Sequence, residues 1–246
     1  MFFSTSSSAP MDCKNCMQDT ATCKARQYYV ATLPSGMRVL CDTLTDGGNW
    51  IIIQKRKNNR ENFNLEWHSY KNGFGDMDGQ DSFWHGLEDI HELCNNNKPC
   101  TLRVDMVMGH EKLNPTEWVK YSHFAVNDSS TNYTLSLAGY DSTSSVGDAM
   151  LSGSTSDYNN MDNVQFSTHD KDNDNDVKSN CAKSTMGGWW WNHCDNPQVH
   201  LNGILALGDQ LRHRHQINNT RWIWIDNQGG NMISRYPTRI EMKVRL

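Results

Sequence analysis

The residues whose types and spacing best suit metal chemistry form an acidic run at positions 170–176, Asp-Lys-Asp-Asn-Asp-Asn-Asp. Carboxylates at alternate positions can converge on one point, and Ca²⁺ takes roughly six to eight oxygen ligands of this kind. An EF-hand loop starts in the same way, but Asn175 and Cys181 stand where it needs Gly and Glu, and no helical pattern precedes the run. The run is therefore either a Ca²⁺ site of another type or a solvated acidic loop.

A second candidate site follows directly, between Cys181 and Cys194. A disulfide between these residues would hold the enclosed sequence Gly-Gly-Trp-Trp-Trp-Asn-His, residues 187–193, beside the acidic run. We expect the first two Trp residues to belong to the core. Trp191 is adjacent to polar Asn and His residues, so we expect it at the surface, where a sugar ring could stack on it.

Eight Cys residues make an even set, as a disulfide framework requires. Only Cys13 and Cys16 have zinc-like spacing, and no second pair of that kind faces them. Four disulfides formed in an oxidising compartment fit better, and three Asn-x-Ser/Thr sequons agree with a secreted, extracellular protein. The cysteines are Cys13, Cys16, Cys23, Cys41, Cys94, Cys100, Cys181 and Cys194, and the sequons start at Asn127, Asn132 and Asn218.

Composition and charge exclude several classes of function. The 246 residues carry a formal net charge of -5, and no basic run is long enough to form a phosphate-binding face, so nucleic acid is not an expected partner. Mean hydropathy is -0.74, and no stretch approaches the roughly 20 apolar residues of a membrane span. The chain has no Gly-x-Ser-x-Gly, His-Glu-x-x-His or phosphate-binding Gly motif, and we expect no enzyme activity.

Hydrophobic patterns predict strands at residues 28–30, 37–40, 50–53, 101–107 and 240–246. Cys94 and Cys100 lie just before the fourth of these, and a local disulfide between them is the simplest pairing. Regular periodicity is missing between residues 141 and 222. An irregular stretch of this length is functional or disordered. Because it contains the Trp residues and a Cys pair, we expect ordered irregular backbone.

Two short helices are predicted in the first half of the chain. The first covers residues 64–71 and ends at Gly73, since Gly tolerates the left-handed conformation at a helix end. The second is capped by Asp81 or Ser82. Its apolar side chains recur at helical spacing and form one face, made of Phe83, Leu87, Ile90 and Leu93.

Motifs in a fixed order connect these features. They are Gly47-Gly48-Asn49-Trp50, Tyr70-Lys71-Asn72-Gly73-Phe74-Gly75, Phe83-Trp84-His85-Gly86-Leu87, the acidic run, Asn180-Cys181, Gly187-Gly188-Trp189-Trp190, Cys194 and Leu201-Asn202-Gly203. In these motifs the chain resembles the fibrinogen-related (fibrinogen C-terminal-like) domain, and it is similar to ficolins, tachylectin-like lectins and molluscan fibrinogen-related lectins. The resemblance implies an α+β fold with a small N-terminal sheet, a central twisted antiparallel sheet with short helices, and a loop-rich calcium- and ligand-binding subdomain. Residues 1–12 would be a flexible tail and residues 13–246 the domain.

The resemblance also implies a calcium ion held by Asp172 and Asp174. The run is one residue longer than the family pattern before Cys181, so Asp176 is a third candidate ligand. In the lectin members of the family an acetyl group enters a pocket beside this calcium. A non-proline cis peptide, here His193–Cys194, would aim backbone N–H groups at the ligand.

The expected pocket differs from that of the lectins. Thr185 stands in place of an aromatic Tyr, and Asp195 in place of a His. The later wall segment contains Arg212, His213, Arg214, His215 and Arg221, which form either a solvated basic patch or a subsite for a carboxylate.

We therefore expect a secreted lectin for acetylated glycans that carry sialic acid, on glycoproteins or microbial surfaces, with a role in innate immunity. An adhesive or structural module that binds a peptide or protein in the same pocket is the alternative. Because single lectin sites bind weakly, we also expect a homo-oligomer.

Overall fold

The computed structural model describes residue 13 and residues 27–108, 116–151, 160–194, 199–205, 224–228, 231–235 and 237–246. The strands are β1 (Tyr28–Thr32), β2 (Arg38–Asp42), β3 (Trp50–Arg56), β4 (Phe74–Gly75), β5 (Phe83–Trp84), β6 (Cys100–Met108), β7 (Thr116–Val126), β8 (Leu135–Tyr140), β9 (Trp224–Gln228), β10 (Asn231–Arg235) and β11 (Pro237–Arg245). The α-helices are α1 (Trp67–Asn72), α2 (Leu87–Leu93) and α3 (Cys181–Thr185), and short 3-10 turns cover Thr45–Gly47 and Ser129–Thr131.

A single antiparallel sheet of nine strands organises the domain, with the order β1-β2-β3-β11-β6-β7-β8 and with β4 and β5 attached beside β3. The N-terminal hairpin β1–β2 joins the edge of this sheet. The C-terminal strand β11 lies in its centre, where Ile240 is opposite Arg56 on one side and Met106 on the other. Strands β9 and β10 form a separate hairpin. The α+β prediction is confirmed.

The sheet separates an apolar face from a charged face, because side chains alternate along a strand. On β6, Leu102, Val104 and Met106 are fully buried in the core, as the alternating pattern predicts. The intervening residues Arg103 and Asp105 lie on the opposite face and pair with each other at 2.8 Å. The charged face is therefore an ordered surface of its own.

The first predicted helix is confirmed as α1, although it begins at Trp67, three residues later than expected. It ends at Gly73, whose φ is 88°. A Cβ at this position would lie 2.6 Å from the carbonyl oxygen of His85, so both the backbone angle and the close approach require glycine.

The second predicted helix starts later than the capping pattern suggested. Phe83 and its neighbour form strand β5, which pairs with β3 and β4, and the helix α2 begins only after Gly86, whose φ is 105°. Asp81 and Ser82 are therefore not its cap. The four apolar side chains are still buried, but in two clusters: those of α2 lie in the main core, whereas Phe83 packs with Leu40 and Ile52.

An aromatic cluster joins the sheet to the loop-rich part of the chain. The ring of Phe166 lies 5.1 Å from Tyr70, 6.0 Å from Trp84 and 5.1 Å from Trp190, in tilted or edge-to-face geometry. The indole N–H of Trp190 donates to the Tyr133 carbonyl at 2.9 Å. The Trp190 indole thus fixes irregular backbone to the core.

The described residues contain three disulfides, Cys13–Cys41, Cys94–Cys100 and Cys181–Cys194. The local Cys94–Cys100 pairing is as predicted, and the pairing of Cys13 removes it from any zinc site. None of the helices in the described ranges has the length and apolarity that crossing a membrane requires.

Candidate functional site in the loop subdomain

The acidic loop, residues 170–176, extends from a short backbone pairing. Ser167 and Trp189 exchange two backbone hydrogen bonds of 2.9 and 3.1 Å, so the loop starts beside the Trp triplet. Asp170 anchors it: its Oδ1 accepts from the Trp67 amide at 2.9 Å and from the Thr168 hydroxyl at 2.7 Å. Asp170 therefore positions the loop against α1 and is not part of the carboxylate pair described next.

Asp172 and Asp174 bring two carboxyl groups together at the tip of the acidic loop. Asp174 is half-buried, and its oxygens accept from the amides of Asp176 at 2.9 Å and Cys181 at 2.8 Å. Burial and the adjacent Asp172 carboxylate raise the pKa of Asp174 to about 6. The raised pKa has burial as its larger cause and the neighbouring carboxylate as its smaller one.

Asp176 connects the acidic loop to the cysteine loop, which we define as residues 181–194. Its carboxylate accepts from the amide of Lys178 at 3.0 Å and from that of Cys194 at 3.4 Å. Two contacts between Asn175 and Asn192, a backbone bond of 3.0 Å and a side-chain bond of 2.8 Å, hold the loops together. The acidic loop and the cysteine loop form one structural unit, which we call the loop subdomain.

The ligand chemistry at this point suits a hard cation. Asp174 lies within 4.8 Å of the sulfurs of Cys181 and Cys194, but these form a disulfide and offer no thiolate to a soft metal. The oxygens of Asp172 and Asp174 are the donors that Ca²⁺ prefers, with backbone carbonyls and water to complete its shell. These two side chains fit a calcium ion, whereas Asp176 is mainly engaged by backbone amides.

The cysteine loop begins with α3, which the sequence pattern did not reveal. The Asn180 side chain caps it by accepting from the Lys183 amide at 2.8 Å. The helix has five residues and ends at Met186 in the left-handed region. Gly188 then passes the core so closely that a Cβ would lie 2.8 Å from Tyr70 and 2.9 Å from Phe166.

Three expectations about the pocket are wrong. Trp191 is 2% exposed, its indole N–H donates to the Gly187 carbonyl at 3.2 Å, and it offers no face to a sugar. Thr185 is buried, and its hydroxyl donates to the Cys181 carbonyl at 2.7 Å within α3. The His193–Cys194 bond is trans, the form that a non-proline peptide prefers by about 3–4 kcal/mol.

Comparison with known proteins gives the family. The family model described as "Fibrinogen beta and gamma chains, C-terminal globular domain" matches residues 9–245. The chain belongs to this family. It is 37% identical over 210 residues to angiopoietin-related protein 7 of Homo sapiens, covering 85% of this chain and 53% of that protein. The Homo sapiens fibrinogen alpha chain is 30% identical over 95% of this chain and 27% of its own length. The Rattus norvegicus tenascin-R is 35% identical over 87% of this chain and 14% of its own length.

Solved structures agree with this fibrinogen-related fold. The fibrinogen-like globe domain of human ANGPTL2 superposes with a TM-score of 0.72 at 28% identity, over 96% of this chain and 98% of that one. A lamprey fibrin D-dimer, complexed with the peptide Gly-His-Arg-Pro-amide, superposes with a TM-score of 0.72 at 24% identity, over 95% of this chain and 72% of that one. At this identity the match supports the fold alone. The chain spans about half or less of the length of these curated relatives. They are angiopoietin-related, fibrinogen and tenascin proteins, and they do not support the narrower likeness to ficolins.

Apart from Met186, which is 40% exposed, the exposed part of the fibrinogen-related loop subdomain is mainly polar. His193 and Cys194 are half-exposed beside Asn192, whose amide nitrogen donates to the Asn160 carbonyl at 2.9 Å. The other predicted pocket residues, Asp195, Arg212, His213, Arg214, His215 and Arg221, lie outside the described residues. The sialic acid subsite therefore stays a prediction.

A buried polar layer behind the loop subdomain was missed in the sequence. The Gln54 side chain on β3 donates to the Leu201 carbonyl at 2.7 Å and to the Asn202 side chain at 2.9 Å. Asn202 in turn donates to the Gly188 carbonyl at 3.0 Å. His200 is fully buried, and burial, with a further effect from Arg56, lowers its pKa to about 3. The Leu-Asn-Gly motif was the available signal, since its Asn ties the cysteine loop to the sheet.

Proposed function

We propose that this fibrinogen-related domain is a secreted, non-enzymatic recognition module that binds a protein or peptide ligand at the loop subdomain. The observation that carries the proposal is the chemistry of the exposed surface: the Trp residues of the cysteine loop are buried, and carboxylates and amides remain outside. A sugar site usually presents an aromatic face, whereas a peptide amine or guanidinium needs carboxylate acceptors.

Calcium is part of the proposal. Asp172 and Asp174 would hold the ion, and the bound charge would lock the acidic loop in one conformation. Four Asp and one Lys give the loop a formal charge of -3, so a divalent ion would leave it at -1. The loop would then still attract a cationic ligand group. The carboxylate of Asp176, which accepts from two backbone amides, would hold the end of the cysteine loop beside the acidic loop.

The family supports a ligand of this kind. The lamprey relative was solved with Gly-His-Arg-Pro-amide, a peptide with a free amine and a guanidinium. That ligand belongs to that protein, but its chemistry agrees with an acidic recognition surface. The disulfides favour an oxidising, extracellular setting. Several copies in a homo-oligomer would strengthen a weak single-site interaction.

A displayed peptide library and a glycan array, each probed with the disulfide-intact chain in calcium and in chelator, test the proposal. We expect calcium-dependent enrichment of peptides with a cationic group. Binding should be lost in Asp172→Asn/Asp174→Asn and kept in Glu92→Gln, which changes an exposed carboxylate on α2. Calcium-dependent binding to sialosides or N-acetylhexosamines, with no enriched peptide, would overturn it in favour of the lectin hypothesis.

A further inference from the structure

A groove of about 950 Å³ lies on the charged face of the central sheet, on the other side from the aromatic cluster. It is lined by residues of β1, β2, β3, β11, β6 and β7, and we call it the sheet-face groove. Six strands at about 4.8 Å spacing give it a width of roughly 24 Å. A concave surface of this size with converging polar groups is a typical binding site.

Glu241, at the centre of the floor, is fully engaged by neighbours within the domain. Its Oε1 accepts from the Tyr28 hydroxyl at 2.8 Å and pairs with Lys55 at 3.1 Å. Its Oε2 pairs with Lys243 at 3.0 Å. This carboxylate has little capacity left to accept hydrogen bonds from a ligand.

The other two carboxylates of the groove are also paired. Asp105 binds Arg103 through Oδ1 and Lys243 through Oδ2, both at 2.8 Å. Asp78 binds Arg38 at 2.6 Å. Each carboxylate of the groove is therefore ion-paired within the protein.

Two cations of the groove, Lys57 and Arg239, by contrast, retain free donors. Five cations line it besides Arg56, whose guanidinium lies over Phe63 in the core. The Arg239 side chain is exposed and has no hydrogen bond or ion pair within the described part of the chain. Lys57 is exposed and donates to one partner, the Gln80 carbonyl at 2.8 Å. The other three cations are paired: Lys55 with Glu241, Arg103 with Asp105 and Asp46, and Lys243 with Asp42, Asp105 and Glu241. The surplus of donors therefore lies at Lys57 and Arg239.

Two of the three aromatic rings of the groove already carry a cation, and the third, Tyr29, packs against the core. The ammonium of Lys55 lies 3.9 Å from the ring centroid of Tyr28, and the guanidinium of Arg103 lies 4.5 Å from that of Trp118. A sugar, which binds by stacking on a bare ring, gains little here. An extended peptide with carboxylate side chains and backbone carbonyls supplies the acceptors that the groove needs.

We propose that the sheet-face groove binds an extended acidic segment of a protein partner, about seven residues long at roughly 3.4 Å per residue. The surplus of donors stands out against the net charge of -5 of the whole chain, so the attraction is local to the groove. The inference is independent of the proposed function of the loop subdomain.

Fluorescence anisotropy with a labelled peptide of alternating Glu and Gly, eight residues long, tests the proposal on the disulfide-intact chain. The same peptide with Gln for Glu is the probe control. We expect binding of the Glu peptide only, with at least a tenfold loss of affinity in Lys57→Glu/Arg239→Glu. Both residues are on the exposed rim, so the fold should persist, which circular dichroism checks.

Lys98→Glu, an exposed charge reversal in the Cys94–Cys100 loop, should leave affinity unchanged. Equal binding by the rim variant and the wild type would overturn the proposal. So would a sulfated polysaccharide that binds the groove while the Glu peptide does not.

Discussion

At the scale of single residues, the buried charges are the most informative feature. Lys243 is 1% exposed, yet its ammonium contacts Asp42 at 2.7 Å, Asp105 at 2.8 Å and Glu241 at 3.0 Å. Burial acts to lower the pKa of Lys243, but these carboxylates raise it overall. Such a charge is tolerated because every partner is in place.

Replacing Lys243 by Met should destabilise the domain by about 3–5 kcal/mol, because Asp42, which is fully buried, would lose its cation. Chemical denaturation of the disulfide-intact chain measures the free energy of unfolding. Lys98→Met, at an exposed position, is the matched control and should change it by less than about 0.5 kcal/mol. A loss below about 1 kcal/mol in Lys243→Met would contradict the described network.

At the scale of elements, regular alternation was predictable and irregular backbone was not. The strands were readable because Ile240, Met242 and Val244 alternate with charged residues on β11. Phe83 fitted a helical pattern, but pairing with β3 and β4 makes it part of a strand, and only tertiary contacts decide this.

The candidate site shows the same division. The acidic loop was evident from its carboxylates. Trp191 packs against His200, which lies 4.5 Å away between ring centroids and nine residues further along the chain, beyond the cysteine loop. No local pattern reports such a contact.

The two disulfides that close short loops should have separable effects. Removing Cys181–Cys194 as a double Ala variant should cost about 3 kcal/mol of stability and abolish ligand binding, because it frees the cysteine loop. Removing Cys94–Cys100, which closes a shorter loop away from the site, should cost less and leave binding unchanged. Thermal unfolding and peptide binding measure the two effects. Equal loss of binding in both variants would contradict a local role for the cysteine loop.

At the scale of the whole molecule, the balance of buried polar groups sets the pH range of stability. Burial lowers the pKa of His85 to about 4 and, together with Arg56, that of His200 to about 3, against 6.5 as the ordinary value. Below pH 6.5 these two histidines bind protons in the unfolded chain, whereas in the folded chain they stay neutral until the pH is much lower. Stability should therefore fall as pH decreases from about 6.5 to 4, at up to about 1.4 kcal/mol per pH unit for each histidine.

Asp174 acts in the opposite sense without calcium, since its raised pKa favours protonation of the folded state, but two histidines outweigh one carboxyl group. Urea unfolding at pH 7 and pH 4.5 measures the slope of the free energy of unfolding against pH. His85→Gln and His200→Gln should each flatten it, whatever their effect at pH 7. An unchanged slope in both variants would show that these histidines do not control the acid sensitivity.

The central claim, that ligands bind at the loop subdomain, is tested most directly by amide hydrogen exchange. The chain would be compared with and without a peptide from the library selection, in calcium. The account predicts slower exchange within residues 166–194 on peptide binding, and loss of this protection in Asp172→Asn/Asp174→Asn. Protection confined to other parts of the chain, with residues 166–194 unchanged, would contradict it.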